Sequence, residues 1–158
     1  MSREMNIGAM TSRTYRVSKL IEAPLPFVYE WCTDFREDDN NITGSKSTRK
    51  ILEKSDRRVI YTVSYMENGK EQSHVSVVTL KPPDAWHLDT SGNAMEQETG
   101  DYKLTKVGKD KTRLDMVFKM NYGKSVKKIP TSKELADDLS KFWDKLVSGL
   151  MQDLGTHA

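Results

Sequence analysis

The segment at 130–155, PTSKELADDLSKFWDKLVSGLMQDLG, constrains this chain more than any other stretch. Leu135, Leu139, Phe142, Leu146 and Leu150 recur at helical spacing, and Trp143, Val147, Met151 and Leu154 widen the stripe. Thr131 and Glu134 stand in the relation of a capping box, and Gly155 is placed to end the helix. The expected helix is about 23 residues long, roughly 35 Å at 1.5 Å per residue. A stripe of that width cannot be left in water, so the rest of the chain must supply an apolar partner.

The partner lies in the middle of the sequence. From 46 to 120, short runs alternate with period two and are separated by turn signals. RRVIYTVSYM puts Val59, Tyr61, Val63 and Tyr65 on one face and ends at Asn68-Gly69, the strongest short hairpin signal. EQSHVSVVTL returns and stops at the paired prolines of KPPD. AWHLDT aligns Trp86 and Leu88 against His87 and Asp89, and EQETGDYKLTKV alternates around Gly100, which reads as a bulge. TRLDMVFKM puts Leu114, Met116, Phe118 and Met120 on one face. Six strands in succession with short connections imply an antiparallel meander. A bent sheet around one long helix leaves space unless bulky side chains fill it. Tyr61, Tyr65, Trp86, Tyr102, Met116, Phe118 and Met120 are the inward candidates, able to plug that space or to line a pocket.

Ahead of the meander, 14–21 reads as a strand and 26–33 as a short helix. Pro24 and Pro26 stand at its start, and Phe27, Val28, Trp31 and Cys32 form its stripe. Ile21, Ala23, Pro24, Val28, Tyr29, Trp31 and Asp34 match the opening pattern of the START/Bet v 1-like (SRPBCC) superfamily. That group includes polyketide cyclase/dehydrase and lipid-transport proteins. The order of strand, short helix, meander and final amphipathic helix resembles it over about 14–154. The resemblance implies an α+β helix-grip fold: a seven-stranded curved antiparallel sheet wrapped around the long C-terminal helix, with two short helices after the first strand. It also implies a hydrophobic cavity beneath the long helix. No catalytic residue is common to that superfamily, so the motif marks fold rather than activity.

The chain divides into a loose leader at 1–13, one domain at 14–155 and a frayed tail at 156–158. With 25 basic and 23 acidic residues, and aromatics not interleaved with the basic ones, no nucleic-acid surface is expected. No apolar run approaches a membrane span or a signal peptide, and the single cysteine excludes an internal disulfide framework. The expectation is a cytoplasmic protein without integral membrane association, its oligomeric state left open.

DFREDDNN at 34–41 could offer carboxylates to a cation, but its spacing fits no calcium loop and a solvated flank to the helix is the simpler reading. No metal and no cofactor are expected. His87 should face solvent, whereas the direction of His74 is open. Turned inward, His74 could hold a ligand or act as a general base. Glu98 shares the phase of Tyr102, and a carboxylate there needs a partner or a ligand. Cys32 reads as buried and inert. The leading function is binding or transport of a hydrophobic or amphipathic small molecule, lipid-like or polyketide-like. Tyr61, Tyr65, His74, Trp86, Glu98, Tyr102, Met116, Phe118, Met120, Phe142 and Leu146 are its candidate contacts. Whether the protein is an enzyme stays open. A cyclase, dehydratase or hydrolase would need a buried acid–base pair, such as His74 with a carboxylate. A chaperone-activator-like interaction module would have its cavity filled by its own side chains.

Overall fold

A computed structural model describes residues 11–35, 47–92, 97–123 and 126–157. Seven strands form one antiparallel sheet: β1 (Thr11–Ile21), β2 (Thr48–Lys54), β3 (Arg58–Glu67), β4 (Lys70–Lys81), β5 (Ala85–Gly92), β6 (Gln97–Gly108) and β7 (Lys111–Tyr122). Their order is β1-β7-β6-β5-β4-β3-β2, so the meander runs in sequence order and β1 adds to its last strand. The Asn68-Gly69 turn has φ of 53° and 78°, the left-handed pair that a two-residue hairpin requires. Register shifts between Ile51 and Glu53 and between Lys106 and Gly108 interrupt the ladder, as bulges that bend a sheet do.

Alternation is honoured throughout. Val59, Tyr61 and Val63 are buried on β3, Ser76 and Val78 on β4, Tyr102 and Leu104 on β6, and Leu114, Met116 and Phe118 on β7. Two polar side chains go inside with them, each satisfied. Thr112 donates to the Ala23 carbonyl at 2.7 Å, and the Ser76 and Thr90 hydroxyls bond each other at 2.8 Å.

Among the described residues, two helices cover the concave face. α1 (Leu25–Cys32) begins at Pro24 with Pro26 in its first turn and packs on β6 and β7, closing one end of the sheet. α2 (Ser132–His157) lies along β1, where Lys19 reaches Ser140 and Asp144 at 2.6 Å each. The capping box forms in both directions: the Glu134 amide donates to Thr131 Oγ1 at 3.1 Å, and the Thr131 amide donates to the Glu134 carboxylate at 3.0 Å. The indole N–H of Trp31 donates to Asp153 at 2.7 Å and joins the two helices.

Three expectations change. β1 begins at Thr11 rather than 14, so the end of the expected leader belongs to the sheet. Gly155 does not end α2, which continues to His157 and takes in most of the expected frayed tail. Met151 and Leu154 pack against the core and the Thr156 hydroxyl bonds the Asp153 carbonyl, holding the last turn through the glycine. Gly100 makes no bulge: it pairs in register with Leu88 and Phe118. Its hydrogen is needed because the Phe118 ring lies across it, 2.7 Å from where a Cβ would stand. One short helix follows β1 among the described residues. The segment where the second implied helix would be sought, 36–46, lies outside them, and with it most of the acidic stretch.

Candidate functional site

α2 meets the sheet along β1, while its Leu139, Phe142, Trp143 and Leu146 reach out over the concave face. Between them is a cavity of about 230 Å³. Phe142 borders it and is yet 46 % exposed, so the cavity communicates with solvent beside the helix.

One wall is a nest of rings. Trp86 stacks on Tyr102 with centroids 4.6 Å apart and planes 13° apart, and Tyr102 meets Phe118 edge-on at 5.4 Å and Trp143 at 6.1 Å. These contacts are the geometries that aromatic quadrupoles favour. The nest follows from register, because Trp86, Tyr102 and Met116 lie opposite one another across β5, β6 and β7. All three tryptophans of the chain, Trp31, Trp86 and Trp143, border the cavity.

The other wall is charged. Arg49 on β2 places its guanidinium 4.6 Å from the centre of the Tyr61 ring and 5.9 Å from that of Phe35, and the two rings stack at 5.7 Å. Phe35 enters this group from the end of α1 with a left-handed φ of 47°. From the far side, Glu98 on β6 borders the cavity and accepts a 2.7 Å hydrogen bond from the Tyr15 hydroxyl. Burial, with the negative charge of Glu98 added, pushes the Tyr15 hydroxyl far above the usual phenol range. Burial does the same to Tyr102. Both phenols stay protonated at neutral pH. Cys32 keeps some exposed surface as a residue, but burial pushes the thiol up as well, which leaves it an inert part of the wall.

Of the side chains singled out in the sequence, Tyr61, Trp86, Glu98, Tyr102, Phe118, Phe142 and Leu146 border this cavity. Tyr65, His74, Met116 and Met120 do not. Met116 is buried in the row between Val17 and Tyr102, at the end of the sheet that α1 covers. Met120 lies one row beyond Phe118, next to Glu98 and Arg13. His74 does take the inward phase of Ser76 and Val78, but near the β3–β4 hairpin, half-buried with its ring 5.9 Å from Tyr65. Burial and then the positive charge of Arg49 lower its pKa. The charge that acts on it is thus a cation, and not the carboxylate that an enzymatic role would need. His87 lies on the opposite face, held by Asp101 at 2.7 Å and Asp89 at 3.1 Å.

Sequence reasoning missed Arg49, Phe35, Val78, Leu88 and Leu139 as wall residues, and left Trp143 as a flank of the helix stripe. Arg49 was detectable in principle, since it shares the phase of Ile51. Phe35 was hidden in a stretch read as a solvated flank. Among the described residues, no three His, Cys, Asp or Glu side chains gather as metal ligands would. No helix among them is long and apolar enough to cross a membrane.

The fold has counterparts among solved structures. Over 90% of this chain and 99% of the other, it superimposes on Ara h 8.0201 with a TM-score of 0.69 at 10% identity. The fold is START/Bet v 1-like. The Zhui aromatase/cyclase from Streptomyces sp. R1128 matches with a TM-score of 0.64 at 14% identity, covering 90% of this chain and 93% of its own. A START superfamily protein from Mycobacterium smegmatis matches at 0.63 and 15%, covering 90% and 97%. No protein-family model matches the chain, and no curated protein matches it by sequence. At these identities the likeness is one of fold, and the function must be argued from the cavity.

Proposed function

We propose that this protein binds an amphipathic small molecule in the cavity between the sheet and α2, and carries or presents it in the cytoplasm. The observation that supports this best is a 230 Å³ space lined by stacked rings, with the charged groups of Arg49 and Glu98 at separate places on its border. Ligand pockets combine apolar walls with a few placed polar groups in this way. Burying apolar ligand surface would contribute ~25 cal/mol per Å², less the cost of ordering the ligand. Tyr61, Trp86, Tyr102, Phe118, Trp143 and Leu146 would supply that surface, and Glu98 and Arg49 would orient the ligand.

The volume narrows the ligand class. A space of this size suits a compact, ring-bearing molecule. A two-chain lipid is far larger, which favours a ring-bearing metabolite over a membrane lipid. An enzymatic role would have to rest on Glu98 and its tyrosines rather than on His74, and an interaction module with a self-filled cavity fits the open space poorly.

Native mass spectrometry of the protein from its own organism, beside its denatured mass, tests the proposal. Binding predicts an extra mass that departs on denaturation and whose re-addition changes tryptophan emission, because every tryptophan borders the cavity. An apo mass, together with emission indifferent to any extracted small molecule, would count against it.

A further inference from the structure

Granted that the cavity binds a small molecule, we infer that its ligand carries a neutral carbonyl oxygen, which accepts a hydrogen bond from the Tyr102 hydroxyl with Tyr61 as a second donor. Tyr61, Trp86, Tyr102 and Trp143 border the cavity and are between 3 % and 9 % exposed. Each of these rings carries one O–H or N–H. Neighbouring rings have spent theirs: Trp31 donates to Asp153, Tyr15 to Glu98 and Tyr29 to the Ala85 carbonyl. Among the described residues, the donors of Tyr61, Trp86, Tyr102 and Trp143 meet no acceptor. None of the four is sealed in protein either, so each opens on space, and the space these side chains share is the cavity.

That set of groups selects its ligand by what it lacks. All four are donors, and an indole N–H can do nothing but donate. Water can satisfy them while the cavity communicates with solvent, but a ligand that displaces water must bring acceptors or lose those hydrogen bonds. A site of this kind rejects an analogue without the acceptor far more strongly than one that differs by a methylene. Tyr102 is the anchor because the rest of the nest surrounds it: it stacks on Trp86 at 4.6 Å and lies 6.1 Å from Trp143. Burial, with Tyr61 and then the charge of Glu98 adding to it, keeps the Tyr102 proton in place at neutral pH. Glu98 also decides the charge of the acceptor. Its carboxylate, already held by Tyr15, repels an anionic oxygen brought to Tyr102, and a carbonyl on a flat ring system is the neutral acceptor that fits.

The test uses 1-tetralone and tetralin, the same two rings with and without the oxygen, titrated calorimetrically at neutral pH. Tyr102→Phe keeps the ring that stacks on Trp86 and removes a hydroxyl that bonds no described residue, so the variant should fold like the parent. It should weaken tetralone about fivefold, the ratio for one ordinary hydrogen bond, and leave tetralin within about twofold. Tyr61→Phe should produce a smaller loss with the same selectivity. In the wild-type protein alone, the carbonyl stretch of bound tetralone should lie below its frequency in hexane, a reading that needs no variant. A stretch at the hexane value, or a Tyr102→Phe variant that binds tetralone as the parent does or weakens both probes alike, would overturn the hydrogen bond while leaving a cavity that binds rings. Binding of neither probe would overturn the carbonyl-bearing class itself, and the cavity proposal would then be decided by the native mass measurement.

Discussion

A single hydrogen atom decides the shape of the ring nest. Gly100 lies beneath Phe118, whose ring atoms would stand 2.7 to 3.0 Å from an added Cβ. That ring is confined by Tyr15 on one side at 5.6 Å and Tyr102 on another at 5.4 Å, so it can yield only toward the cavity. Gly100→Ala should therefore cost about 1–3 kcal/mol in urea unfolding and weaken any cavity ligand. An alanine variant as stable as the parent would show that the ring moves freely. On the convex face, His87 gives a prediction of a different kind. Burial alone would lower its pKa, but the hydrogen bonds and charges of Asp101 and Asp89 outweigh it and raise the value. A raised folded pKa contributes stability that is full below the unfolded value of about 6.5 and is lost as pH rises through the folded one. His87→Gln should thus destabilise by about 0.5 kcal/mol near pH 5.5, the scale of exposed ion pairs, and by much less near pH 9. Thermal melts at the two pH values check the sign, and a gap that widened with pH would contradict it. At this scale the alternation of apolar residues made the inward set legible, including Tyr61, Trp86 and Tyr102. It left Arg49 ambiguous: the phase it shares with Ile51 points inward, but an arginine there reads from sequence like one at an edge, where pattern and burial part company.

The elements were more legible than the contacts between them. Period-two runs, the Asn68-Gly69 turn and the capping box each carry their own local signal, and each formed as its chemistry demands. The end of α2 did not, because a glycine that can end a helix is overruled when the residues around it are packed. How far α2 stands from the sheet is likewise a property of long-range ties that no local pattern records. Lys19 fastens its middle to β1, and Asp153 fastens its end to Trp31 of α1. The latter tie spans the gap between the two helices that border the cavity. Asp153→Ala would leave the indole N–H of Trp31 without its acceptor, at a cost of about 1–2 kcal/mol. It should also shift the tryptophan emission, since Trp31 borders the cavity. Asp153→Asn, which keeps an acceptor oxygen, should recover most of the stability. If alanine and asparagine behave alike, the charge of Asp153 matters and the hydrogen bond does not.

For the whole molecule the question is why the core is not solid. A space of about 230 Å³ beneath α2 is volume that core side chains could have filled, and its lining atoms forgo the dispersion contacts that filling would give. Bulky side chains are present in number, yet they line the space instead of filling it, with Trp86 and Tyr102 spending their bulk on each other. A variant that fills the space separates stability from binding. Val78 is fully buried on β4, between Val59 and Leu88, and borders the cavity directly. Val78→Phe directs a ring into empty volume rather than into packed neighbours, so the usual penalty for enlarging a core residue should not apply. Its unfolding free energy should stay within about 1 kcal/mol of the parent or rise, while affinity for the small molecule recovered in the native mass measurement should fall by at least about tenfold. Gly100→Ala, which also adds volume near the cavity, should lose both properties together, because its Cβ meets a ring and not a space. Should Val78→Phe instead lose stability and keep its ligand, the volume beneath α2 would not be available to a guest, and the binding surface would have to lie elsewhere.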